Sequence, residues 1–202
     1  SAVEDAEYPN VCTSYIKTSF DLGNFTLLLG ASGIYGKTRT NHSIDTAGGH
    51  AFYGTSYIAG ADITLRYDVS SYQYIALQSE YLYRYKNGDL YENSGGTITK
   101  DDFTAKQSGL YSQLIVRTGK VTRLGLRYDL LAKNDMSDNH EAKENLPRYT
   151  AMAEYNPTEF SRFRIQYSYD KSLYDEYGYN KINHQIIVQC NLSIGAHGAH
   201  SF

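Results

Sequence analysis

The sequence predicts an all-β fold: an antiparallel up-and-down transmembrane β-barrel, with about 8–10 strands in a chain of 202 residues. Three observations predict it. Apolar and polar residues alternate with period two over long segments. Short turns alternate with long polar connections along the chain. Tyr is abundant, with 21 copies and no Trp, and its amphipathic ring suits a membrane–water boundary.

The alternation comes first. In "TSYIAGADITLRYD", Tyr57, Ala59, Ala61, Ile63, Leu65 and Tyr67 share one face, and Asp62, Thr64, Arg66 and Asp68 share the other. In "YQYIALQSEYLYRY", Ile75, Leu77, Tyr81, Tyr83 and Tyr85 oppose Gln78, Glu80 and Arg84. In "TRLGLRYDL", Leu124, Leu126 and Tyr128 oppose Arg123, Arg127 and Asp129. In "SRFRIQYSYD", Phe163, Ile165, Tyr167 and Tyr169 oppose Arg162, Arg164, Ser168 and Asp170. Successive side chains of a strand point to opposite faces, so each segment has one oily and one wet side. Tyr gathers toward the strand ends and aliphatic residues toward the middle, as in an aromatic girdle around an oily belt.

The connections set the topology. Short turns are expected at 21–24, 68–71, 117–122 and 156–161. Long loops are expected at about 38–54, 86–105, 131–147 and 171–182, where Asn, Asp, Gly, Lys and His concentrate. Regular alternation of the two is the meander of an outer-membrane barrel, with short periplasmic turns and long outer loops. Nine strands result, at about 12–22, 24–37, 55–68, 72–86, 106–117, 121–131, 148–156, 161–171 and 183–202. Barrels of one bacterial chain have even strand numbers. The odd count points either to a misread first strand or to a chain that lacks N-terminal strands. Residues 1–202 are expected to form one barrel domain, with 1–10 as a flexible acidic segment that does not resemble a signal peptide.

Composition agrees with this class. The formal net charge is −3, which offers no basic field for nucleic acid. Mean hydropathy is −0.51, and no stretch approaches the ~20 apolar residues of a membrane-spanning helix. A β-barrel leaves the same average, because half its strand residues face water.

Candidate functional residues follow from the wet face. Asp62, Arg66, Glu80, Arg84, Arg123, Arg127, Asp129, Glu154 and Arg164 are expected to line the lumen. They either pair into a network that fills it or border a water-filled pore. No GxSxG-like stretch is present, and no catalytic or cofactor-binding set stands out, so neither an enzyme nor a cofactor is expected. His42, His50 and His140 lie in expected outer loops beside Asp45, Asp135, Asp138 and Glu141. Such a group offers nitrogen and oxygen to a divalent metal, or is simply a solvated acidic loop. His197 and His200 fall on opposite faces of the last strand and cannot chelate one ion together. Cys12 and Cys190 both fall on the oily face of the first and last strands. A disulfide across the seam and two isolated thiols both remain open.

The second half carries a resemblance. "GLRYDLL", "RYTAMAEYNPTEFSRFRIQYSYDKS" and "NLSIGAHGAHSF" resemble the C-terminal region of a family of proteobacterial outer-membrane proteins, often labelled zinc-regulated TonB-dependent receptors. "SEYLYRYKNGDLYE" resembles the strand and loop before it. The resemblance implies an outer-membrane channel or uptake protein for a small solute, linked to zinc. A structural or adhesive barrel is the alternative, and a rim-located enzyme a further one. It also implies that the terminal strand, with Leu192, Ile194 and Phe202, is the signal read by the barrel-assembly machinery. The bilayer and that machinery are the expected partners.

Overall fold

The computed structural model describes residues 10–132, 135–136, 144–174 and 180–193. Among them every regular element is a strand. These are β1 (Val11–Leu22), β2 (Phe25–His42), β3 (His50–Ser70), β4 (Gln73–Ser94), β5 (Thr97–Arg117), β6 (Thr122–Leu131), a two-residue β7 (Asp135–Met136), β8 (Leu146–Thr158), β9 (Ser161–Tyr174) and β10 (Asn180–Leu192). They form one antiparallel sheet in the order β1-β2-β3-β4-β5-β6-β8-β9-β10, with β7 beside β5. The nine main strands are those expected, and each pairs with its neighbours in sequence. Strands β1 and β10 are the two edges, and they are not paired to each other among the described residues. Cys12 and Cys190, one on each edge, are free and exposed.

Two of the expected loops are mostly strand. Residues 86–105 hold a hairpin whose register continues to Ser94↔Thr97. Gly95 and Gly96 turn it, at φ 64° and 97°. Both positions need the left-handed region, which glycine enters without cost, and such a turn matches the twist of the flanking strands. Residues 38–54 likewise narrow to a short loop between His42 and His50. In 131–147, β7 pairs with Ala105 and Lys106. In 171–182, β9 runs on to Tyr174 and β10 begins at Asn180. Composition alone hid these extensions, because Gly, Asn and Asp favour turns without enforcing them.

The extended hairpins carry a small core of their own. Phe52 and Phe103 meet edge to face at 5.3 Å. Leu90 and the fully buried Ala105 complete the cluster, and the Lys86 ammonium sits 3.7 Å above the Phe52 ring. Asn93 then clasps the 43–49 loop onto the β4–β5 tip. Its Nδ2 donates to Ile44 O at 2.8 Å, and its Oδ1 accepts from Gly96 N at 2.8 Å. Its backbone carbonyl accepts from Gly48 N. At the edge of the same hairpin Lys100 reaches Asp89 at 3.1 Å, and that hydrogen bond raises its pKa above the ordinary lysine value.

Gly54 and Gly88 are register partners beneath this core. A Cβ on Gly88 would run into Tyr53 O and the Gly54 backbone. Gly88→Val should therefore destabilise the outer hairpins by about 3 kcal/mol. Limited proteolysis within 86–105 should quicken while the lower sheet stays protected. Unchanged cleavage would show that the strands have room there.

Candidate functional site

The register divides the sheet into two chemically distinct faces. On one face five leucines stand side by side on five successive strands, Leu27, Leu65, Leu77, Leu114 and Leu126. The next row includes Phe25, Tyr67, Ile75, Val116, Leu124, Ala153, Ile165 and Val188. These side chains are open to the surroundings: Leu126 is 62% exposed and Val188 76%. Two tyrosine ladders border the band. Tyr35, Tyr57 and Tyr85 stack across β2, β3 and β4 at 4.8 and 6.1 Å. Tyr128, Tyr149 and Tyr169 do the same across β6, β8 and β9 at 5.2 and 6.4 Å. His184 extends that second ladder, and its Nδ1 lies 2.8 Å from Tyr167 Oη. From the Cys12 row to the Leu22 row the strand advances about 34 Å at ~3.4 Å per residue. Tilted by ~40°, that is an apolar band about 25 Å tall, the height of the lipid-facing band of an outer-membrane barrel.

The other face is polar and charged. Asp62, Arg66, Glu80, Arg84, Arg123, Arg127, Asp129, Glu154 and Arg164 all lie on it. It is the concave side: Tyr74 of β4 and Gln185 of β10 border one cavity of about 510 Å³, together with Arg127, Arg148, Glu154 and Arg164.

The charges on this face fall into rows. One row crosses all nine main strands through Lys17, Gly30, Asp62, Glu80, Tyr111, Asp129, Arg148, Asp170 and Asn183. Four carboxylates meet two cations in it, so the row is acidic. Lys17 Nζ lies 3.5 Å from Asp62 Oδ1, across Gly30, where a Cβ would overlap the Asp62 carboxylate. The missing side chain of Gly30 is what lets this pair form. Arg148 bridges two acids, at 3.6 Å from Asp129 and 3.5 Å from Asp170. Asp129 also accepts from Arg127 at 2.6 and 2.8 Å, and that guanidinium lies 4.0 Å over the Tyr111 ring.

Nearer the short turns the balance reverses. Arg117, Arg123, Glu154 and Arg164 are successive partners there. Glu154 is 5% exposed. It pairs with Arg123 at 3.3 Å and accepts from Asn156 Nδ2 at 2.9 Å. Arg164 turns to Gln166 Oε1 at 2.7 Å. Between the basic and acidic rows lies a neutral stretch of Gln78, Gln113, Thr150, Ser168 and Gln185, broken only by Arg127.

Arg117, Arg148 and Tyr111 lie on this face and are not among the residues expected from the sequence. Arg148 shares its parity with Glu154, so alternation alone would have placed it here. Tyr111 shares its parity with Gln113, but tyrosine was read as a boundary residue. Of the terminal strand, Leu192 lies on the apolar face and is exposed. Ile194, His197, His200 and Phe202 fall outside the described residues, as do His140, Asp138 and Glu141. Among the described residues no three His, Cys, Asp or Glu side chains converge to hold a metal.

No family model matches the chain. An uncharacterized protein of Aquifex aeolicus (strain VF5) is 42% identical to it over 204 residues, a match that covers 99% of this chain and 42% of that protein. The chain thus spans less than half the length of this relative. Among solved structures, a NanC porin aligns with 92% of this chain and 94% of its own, at 11% identity and a TM-score of 0.40. That likeness is too loose to speak for a function.

Proposed function

We propose that this chain is a wall section of a bacterial outer-membrane β-barrel that conducts or takes up a small solute. The observation that carries the reading is one curved sheet with an exposed apolar band about 25 Å tall outside and a charged concave face inside. A water-soluble sheet of this size would cover that band with a second layer. In the proposed setting lipid covers it, and Asp62, Arg66, Glu80, Arg84, Arg123, Arg127, Asp129, Glu154 and Arg164 border the passage. The resemblance supports an uptake role under zinc limitation, with Leu192, Ile194 and Phe202 read by the assembly machinery.

Strand direction adds a requirement. Strands β1 and β10 both run toward the short-turn end, at Leu22 and Leu192. Pairing them directly would make a parallel seam. An antiparallel barrel closes only with an odd number of further strands between them. The longer relative supports a source for those strands in a larger polypeptide.

The linked ion pairs Arg127–Asp129–Arg148–Asp170 favour a second reading, a structural barrel with a filled interior. Planar-bilayer conductance and solute uptake by the longer protein, with and without zinc, separate the two. Steady conductance altered by Arg127→Glu supports the passage. A silent bilayer and no uptake would leave the structural barrel.

A further inference from the structure

The segment "NHSIDTAGGH" places His42 and His50 eight residues apart in a stretch whose composition suggests a loose loop. The fold gives them a fixed relation instead. They are the last register pair of the β2–β3 hairpin. Their side chains therefore emerge side by side on one face. The ring centroids are 4.8 Å apart, with the planes tilted by 35°.

The loop that joins them is braced from several sides. Thr46 N donates to Ser43 O and Gly49 N to Thr46 O, each at 2.9 Å. Ile44 N donates to Asn41 Oδ1 at 3.1 Å. Asn93 ties the loop to the next hairpin through Ile44 O and Gly48 N. The backbone that carries the histidine pair is thus held by its surroundings, so only side-chain freedom is lost when a ligand joins the two rings.

We infer that His42 and His50 form a two-imidazole chelate for a borderline transition metal ion at the outer rim. Neutral imidazole suits Cu²⁺, Ni²⁺ and Zn²⁺, and does not suit Ca²⁺ or Mg²⁺. Rings this close can turn one nitrogen each toward a shared ion by side-chain rotation alone. Glu92 is the next residue of the same row, opposite His50 on β4. As placed, its carboxylate does not converge with the rings, so water fills the open positions unless it swings in. The assignment is independent of whether the barrel conducts.

The test is Cu²⁺ binding to the detergent-solubilised protein, followed by electron paramagnetic resonance. One equivalent should give a spectrum with two equatorial nitrogens. His42→Ala and His50→Ala should each remove that signature and weaken binding at least tenfold, with the circular dichroism unchanged. Zn²⁺ should also slow protease cleavage within 43–49 in the parent and not in either variant. A two-nitrogen spectrum that survives both substitutions would assign the ion to other histidines and overturn the inference. So would the lack of any imidazole-bound copper at one equivalent.

Discussion

Leu126→Arg should lower the unfolding free energy of the lipid-embedded protein by about 2–4 kcal/mol, among the largest effects of any single substitution in the sheet. Leu126 closes the five-leucine row on β6 and is 62% exposed. In the proposed setting that exposure is to hydrocarbon, where a guanidinium has no hydration and no partner. The same change on the neighbouring strand β8, Met152→Arg on the concave face, is the control. Met152 faces the cavity and is the register partner of Gly125, so a charge there meets water and polar neighbours. Urea titration in lipid vesicles measures both. Equal losses at the two positions would mean that the apolar band does not face lipid.

Glu154→Ala should cost about 3 kcal/mol, the low end for a broken buried ion pair. The carboxylate is almost wholly buried, whereas the Arg123 side chain keeps 30% exposure and part of its hydration. Removal leaves Arg123 and Arg164 on the strands either side of position 154, with no negative charge between them. Glu154→Gln keeps an acceptor for Asn156 and should cost roughly half as much. A loss below ~1 kcal/mol for Glu154→Ala would show that solvent screens this pair as it does surface pairs.

The part of the fold that alternation governs was legible from the residues. Period two located nine strands and put the nine candidate charges on one face, because a strand offers its side chains no third direction. The upper hairpins were not legible by composition. "KNGDLYENSGGT" is polar and glycine-rich, yet its strand residues pair one by one with 97–105 and 50–56. The Gly-Gly dipeptide within it was a hairpin signal that outweighs loop-like composition. The linkage of charges across strands was also hidden. Arg148 becomes a bridge between Asp129 and Asp170 only once the register sets all three in one row. The His42–His50 pair has the same origin, since seven intervening residues say nothing about a shared register.

The neighbour-by-neighbour order of the sheet also fixes how the chain can assemble. Every main strand pairs only with main strands next to it in the chain, so no contact inside the sheet waits for a distant segment. Hairpins can form and add in sequence, each closing a short loop, and low contact order of this kind favours fast pairing for a β protein. In the proposed barrel the slow event is then closure, when the edges at 11–22 and 180–192 come together across the further strands that lie between them. Bringing such distant ends together costs about 3 kcal/mol more entropy than closing a hairpin of a few residues, on the logarithmic dependence of loop closure. Substitutions within the central strands should therefore act mainly on how quickly the finished wall comes apart. Substitutions on β1 and β10 should act on how quickly it is sealed.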